Sequence, residues 1–350
     1  MIRESTRKIL EFLEESISPE VETDYENQWR EFLEGEFKGD LFTPKRKIVP
    51  SPSVDLPFIN INDAIEDYDL MLCSQLVGAT KALCSTSGSP AIRANYGTGI
   101  MSSIMGAELF VMPRNTNTLP TTMPFDGLDK VEELISKGAN DLNAGLGRKV
   151  WEFADFTAEV LKDYPKVSKF VHVYHPDLQG PLDICELIMG GEMFYAFYDD
   201  EDMVHNLLSL ITDAYVRAMR KWRAVFPAKK GINPHWGLWH KGEILLRSDS
   251  AMNISPELYK QFSVPYDQKL LDEFNGGAVH FCGRGDHYID ILCGMDKMYA
   301  INMSQPEYND MEKIYASTVD KGIKIVGFSR KQAEKDIARA GGLKSSVHVE

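Results

Sequence analysis

Apolar residues recur at helical spacing through the first 37 positions (Ile9, Leu10, Phe12 and Leu13, then Trp29, Phe32, Leu33 and Phe37), set among many Glu and Arg. This predicts two helices joined near Pro19. Pro44, Pro50, Pro52 and Pro57 then remove backbone donors and fix φ, so the stretch from Pro44 to Pro57 is predicted to run as an extended strap over the surface. Helical spacing returns over residues 63–84 and ends in the turn-rich Ser85–Pro90. From Ala91 the pattern changes. Short apolar runs at Ala91–Tyr96, Phe170–Tyr174, Ile244–Ser248, Ala278–Cys282, Met298–Met303 and Ile323–Phe328 alternate with helical segments. Such alternation predicts an α/β protein with a parallel sheet, and its length favours a TIM-type (β/α)8 barrel with an N-terminal helical extension. The simplest division is an extension and Pro-rich strap over residues 1–90 and a barrel over 91–350.

The strongest helical stripe runs from Asp200 to Phe226. Asp199 to Asp202 crowd its start and Arg217, Arg220, Lys221 and Arg223 its end, as the helix dipole favours. This element and its neighbour Leu187–Phe197 are expected to be packing helices.

Charge and cysteine usage narrow the function classes. A net charge of -14 argues against a nucleic-acid partner, which requires a basic face. No apolar run approaches the roughly 18 residues of a membrane helix, and the N-terminus lacks the apolar segment of a signal peptide. The five cysteines (Cys73, Cys84, Cys185, Cys282 and Cys293) form no CxxC pair, and their odd number fits reduced thiols, so a cytoplasmic protein is expected.

Candidate chemistry gathers where strands end. In Val279–Cys282 side chains alternate faces, so His280 and Cys282 point the same way, and imidazole with thiolate suits zinc. Gly283-Arg284-Gly285 ends that strand, and Asp286 is placed to cap a helix through Tyr288–Leu292. After the strand at Phe170–Tyr174, His172, His175, Asp177 and Gln179 form a second polar cluster. Arg247 and Asp249 follow the strand at Ile244, while Asn302, Ser304 and Gln305 follow that at Met298. Tyr96 precedes a Gly turn, and Asn233–His240 combines two His and two Trp in a segment expected to cover a ligand or a partner surface. No Gly-x-Ser-x-Gly elbow or phosphate loop is present.

Three segments, Asp177–Asp183, Arg247–Tyr259 and Val279–Gly283, resemble the uroporphyrinogen decarboxylase superfamily, and the match in order and spacing covers roughly residues 90–330. That superfamily has a TIM-type barrel and includes the decarboxylase as well as methyltransferases that move a methyl group between a corrinoid protein and a thiol. The decarboxylase's Arg-Gln-Ala-Gly-Arg motif is not visible; Arg93 stands alone before a Gly turn. The methyltransferase branch uses His-x-Cys and a later Cys as zinc ligands. His280 and Cys282 fit the first two, but no cysteine follows Cys293, and Ser329 stands about where the third is expected. Glu243, Glu257 or His240 could complete the shell.

The resemblance thus implies a methyltransferase with a corrinoid protein as partner, a small-molecule methyl acceptor or donor, and zinc holding a thiol as thiolate. Its site residues would be His172, His175, Asp177, Gln179 and Asp249 for catalysis, with Tyr96, Trp236, His240 and Arg247 for the cofactor. The alternatives are a decarboxylase-like lyase acting on a tetrapyrrole or small carboxylic acid, using Asp249, His172 and Tyr96, and a non-catalytic barrel that binds a ligand. A homodimer in contact near Leu56, Phe58 and Ile59 is a further expectation.

Overall fold

Two helices, Glu4–Ser16 and Pro19–Glu34, open the chain in the computed structural model, which describes residues 2–350. Pro19 stands in the first turn of the second helix, where its missing N–H is no loss. Twelve strands follow: β1 (Leu41–Phe42), β2 (Ala91–Ile92), β3 (Glu108–Phe110), β4 (Thr121–Met123), β5 (His172–Val173), β6 (Ile232–His235), β7 (Leu238–Lys241), β8 (Ile244–Arg247), β9 (Gly277–Phe281), β10 (Met298–Met303), β11 (Lys324–Phe328) and β12 (Val347–Val349). Six form one parallel sheet in the order β1-β12-β11-β10-β9-β8. β2 and β5 make a separate parallel pair, while β3–β4 and β6–β7 are antiparallel hairpins. The protein is therefore α/β with a six-stranded parallel sheet. Among the described residues no helix is long and apolar enough to cross a membrane.

Strand alternation divides the interior in two. Ile244, Leu246, Val279, Phe281 and Ile301 face the helices, including the long helix Glu201–Val225, and join the main core. Leu245, Ala278, Ala300 and Val326 face the other way, into a second cluster with Tyr25, Trp29, Phe42 and Trp239. The alanines on that face leave room for the hairpin β6–β7 to lie against it. Trp236 and Gly237, both at positive φ (53° and 80°), make its two-residue turn, the geometry that matches strand twist. The segment read as a Trp-bearing loop is thus a hairpin. All four residues of β6 are buried, so the sequence carries no polar alternation to reveal it.

Other expectations need correction. The packing helix read over Leu187–Phe197 is two helices, Pro181–Met189 and Glu192–Asp199, broken at Gly190, whose φ is 59°. Asp286 caps nothing: the next helix is the short Ile289–Leu292, and the carboxylate instead accepts from Arg284 Nε (2.7 Å) and the Asp310 N–H (3.2 Å). The Pro-rich strap is irregular as expected. Its anchor is Arg46, fully buried, which forms a two-pronged ion pair with Glu22 (2.6 and 2.9 Å) and donates to the carbonyls of Ala82, Ser85 and Gly88. Leu56 and Ile59 pack on the core, whereas Phe58 is 79% exposed.

Candidate metal centre

On β8, β9 and β10 the face that carries Leu245, Ala278 and Ala300 also brings polar residues into one row. Arg247 pairs in register with His280, and His280 with Asn302. One pleat further along, past the strands' carboxyl ends, come Asp249, Cys282 and Ser304. His280 Nε2 lies 3.2 Å from Cys282 Sγ and 3.5 Å from Asp249 Oδ1. One ligand atom from each of Asp249, His280 and Cys282 falls within 4.8 Å of the others, a group able to hold a metal ion.

Each member is held from behind. Asn302 Nδ2 donates to the Val326 carbonyl (2.7 Å), which turns its Oδ1 toward His280 Nδ1 (2.6 Å). Nδ1 must therefore donate, and Nε2 keeps its lone pair for the site. Asp249 Oδ1 accepts the Cys282 N–H (2.9 Å), while Oδ2 accepts from Arg247 Nη2 (2.6 Å) and Nε (3.1 Å). Behind Asp249, the buried Asp183 accepts the backbone N–H of Asp249 (3.2 Å) and Ser250 (2.8 Å). Burial, and then the nearby Asp249 charge, push the Asp183 carboxyl up to about 6. Burial lowers His280, with Asp249 and Asn302 opposing, and raises the Cys282 thiol. Protein groups alone leave the imidazole neutral and the thiol protonated, so a thiolate here calls for a cation.

A second cluster adjoins the first. Asp177 is gripped by Arg93, His235 Nε2 (2.9 Å) and Trp236 Nε1 (3.0 Å), with Arg247 at 4.0 Å. Burial pushes its carboxyl up, but Arg93, His235 and Arg247 more than offset this and hold it well below the usual range. The two clusters meet at the hairpin tip: the Arg247 guanidinium sits 5.6 Å over the Trp236 ring, which meets His280 edge-on at 5.1 Å.

Of the residues singled out in the sequence, Asp177, Trp236, Arg247, Asp249, His280 and Cys282 come together. Five others do not. His175 is a stitch between strands, its Nδ1 donating to the Pro176 carbonyl (2.9 Å) and its Nε2 accepting the Leu245 N–H (3.1 Å). His172 faces Glu26 (3.3 Å) and the Trp239 ring, away from Asp249. Tyr96 is wholly buried against Phe153, its hydroxyl without a hydrogen-bond partner. His240 is buried in the hairpin, donates to the Lys241 carbonyl, and is lowered to about 4 by burial. Gln179 holds φ at 70° with its buried Nε2 unpartnered, just before Gly180, where a Cβ would stand 2.0 Å from the Arg247 carbonyl oxygen. Glu243, Glu257 and Cys293 also lie outside the ligand group. The third member is Asp249, read from sequence as catalytic.

Arg93, His235, Asp183 and Asn302 were not singled out as site residues. For Asn302 the signal was available, because it stands two residues before Ser304 on the face that leads to the strand end. Compared with protein-family models and with curated proteins, the chain matches none.

Proposed function

We propose that this chain is a barrel enzyme of uroporphyrinogen decarboxylase type whose Asp249, His280 and Cys282 hold zinc, and that it moves a methyl group between a corrinoid protein and a small thiol. The observation that carries the reading is the spacing of those three ligand atoms. Tetrahedral zinc with bonds of about 2.0–2.3 Å sets its ligands roughly 3.6 Å apart, close to the 3.2 and 3.5 Å measured from His280 Nε2. The donor set is also chemically apt, with the imidazole tautomer set by Asn302 and the carboxylate braced by Arg247.

The barrel reading is supported by two joints. Leu245 of β8 donates its N–H to His175, just past β5 (3.1 Å), and the Arg46 N–H, past β1, donates to the Thr86 carbonyl ahead of β2 (2.7 Å). Together with the six-stranded sheet and the β2–β5 pair, these support a ring in the order β1, β2, β5, β8, β9, β10, β11, β12, which would be chain order. The site then stands at the carboxyl ends, where such barrels carry their chemistry.

Bound zinc would supply Lewis acidity that keeps an acceptor thiol ionised at neutral pH. The chain's own groups do the rest. His280 offers Nε2, Asp183 holds the Asp249 turn in place, and Asp177 stays ionised to keep Arg93, His235 and Trp236 fixed beside the acceptor's path. Incubating the metal-loaded protein with methylcobalamin and a panel of thiols, and following the cobalamin spectrum, tests the reading; no demethylation by any thiol counts against it.

A second reading, a lyase acting on a carboxylic acid, draws on Arg93 and Arg247 converging near Asp177. Its other sequence candidates, His172 and Tyr96, lie outside the cluster. Turnover of uroporphyrinogen would favour it.

A further inference from the structure

A cavity of about 330 Å³ lies between the helices Gly147–Leu161 and Glu201–Val225 and the strands β5 and β6. Its lining contains none of Asp249, His280 and Cys282. Its lining includes Lys169, Arg223 and Lys229 and no Asp or Glu, in a chain whose net charge is -14. Charge of that sign is not what the composition would scatter there.

Arg223 is the unusual member. Its Nη2 donates to the Glu243 carbonyl, but its Nε is buried without a hydrogen-bond partner. It forms no ion pair among the described residues, and the one carboxylate acting on it, Glu243, is engaged by the Asn275 amide (2.7 Å). Burial accordingly pulls its pKa down to about 10. Lys229 is partly compensated, since Glu26 binds its ammonium (2.8 Å) and also faces His172, lining the same cavity. Among the wall's three cations only Lys229 has an ion pair among the described residues, with Glu26. A guanidinium largely withdrawn from water with no ion pair of its own is costly to keep, and an anion entering the cavity lowers that cost. Leu161, Val171 and Phe226 supply an apolar part of the wall.

We propose that this cavity binds a small amphipathic anion, a carboxylate or phosphate monoester joined to an apolar body, with Arg223 and Lys229 on the oxyanion and Leu161 and Phe226 on the body. The site is separate from the metal centre. Its size suits a ligand at the small end of those that occupy protein pockets.

Calorimetric titration of the full-length, metal-loaded protein at low salt with phenyl phosphate and with benzoate tests this. At least one probe is expected to saturate a single site below about 10 mM, and the tighter of the two identifies the head group. Arg223→Gln should weaken binding at least roughly tenfold, with Arg223→Lys intermediate. Ala158→Trp, which fills the cavity without touching its charge, should abolish binding. Lys229→Gln should weaken it severalfold and guards against misfolding at the more buried Arg223. All four should keep the wild-type metal content and circular dichroism. A purely structural Arg223 would instead lower the melting temperature of the unliganded protein when replaced by Gln, and leave probe affinity unchanged. That result, or failure of both probes to saturate, or wild-type binding by Ala158→Trp, overturns the proposal.

Discussion

Asn302 sets which nitrogen His280 turns to the site: with Nδ2 committed to the Val326 carbonyl, its Oδ1 can only accept from Nδ1, 2.6 Å away, and Nε2 is left facing Cys282. Groups behind a metal ligand commonly contribute 10- to 100-fold in affinity. Asn302→Leu removes the acceptor while keeping the volume, so zinc affinity in a competitive chelator titration should fall by about that factor. Equal affinity in the variant would mean that the imidazole's orientation is fixed by packing alone.

The choice of third ligand separates Asp249 from every other carboxylate in reach. Protein purified without a histidine tag should carry about one zinc. His280→Ala, Cys282→Ser and Asp249→Ala should each lose most of it while the chain stays folded, because the sheet and not the metal is the scaffold. Glu243→Gln, Glu257→Gln and His240→Ala should retain it. Elemental analysis beside thermal unfolding reads both quantities, and zinc surviving Asp249→Ala would move the third ligand elsewhere.

Asp183 touches no ligand atom yet holds the turn that carries one. Its two oxygens accept the N–H groups of Asp249 and Ser250, so Asp183→Ala strands two backbone donors beside the centre. Zinc affinity should drop, and Asp183→Asn should restore part of it because one amide oxygen can still accept. A purely global effect would lower the melting temperature of the metal-free protein by as much as that of the metal-loaded protein; the expected difference is a larger loss in the loaded form.

How far the sequence could be read follows from what each signal depends on. His280 and Cys282 were legible because strand alternation is local: two residues apart means one face, whatever the tertiary fold. The long helix was legible for the same reason, its stripe running nearly end to end. Asp249 as a ligand was not, because its distance from His280 depends on how β8 registers against β9, with Arg247 opposite His280. His172 and Tyr96 lie apart from the ligand group because a strand end marks only proximity in sequence: His172 meets Glu26 and Tyr96 packs on Phe153. The hairpin β6–β7 escaped since it is buried on both faces and lacks alternation. β1 and β12, of two and three residues, are too short to show a period at all, though they extend the sheet to six strands.

The segment read as an N-terminal extension is predicted to be indispensable to the rest. Trp29 and Phe42 fill the cluster on the face of the sheet that carries Leu245 and Ala278, β1 pairs with β12, and the buried Arg46 joins Glu22 to three carbonyls on the way to β2. Residues 91–350 expressed alone should therefore be insoluble or lack a cooperative transition. Breaking the buried pair by Glu22→Gln should cost about 3–5 kcal/mol in chemical denaturation, since it leaves the guanidinium uncompensated. A cooperatively folding 91–350 fragment would restore the division drawn from sequence.

A buried carboxyl contributes one part of the stability profile that favours acid. Asp267 is 2% exposed; burial, and secondarily the nearby Asp183, push it up to about 7, against the hydrogen bond from Ser263 (2.7 Å) that opposes the rise. Unfolded, the same group titrates near 3.8. Between those two values the native state holds a proton that the unfolded state has released, so this group's contribution to stability is intact below about pH 4, declines as pH rises to 7, and stays lost above. Asp267→Asn cannot ionise, and its amide oxygen can still accept from Ser263. Relative to wild type it should therefore gain stability progressively from pH 4 to 7, by on the order of 1–4 kcal/mol at the plateau. Urea denaturation of both proteins across pH 4 to 8 measures the difference directly. A constant offset across that range would mean that Asp267 titrates normally, reached by water that its burial does not exclude.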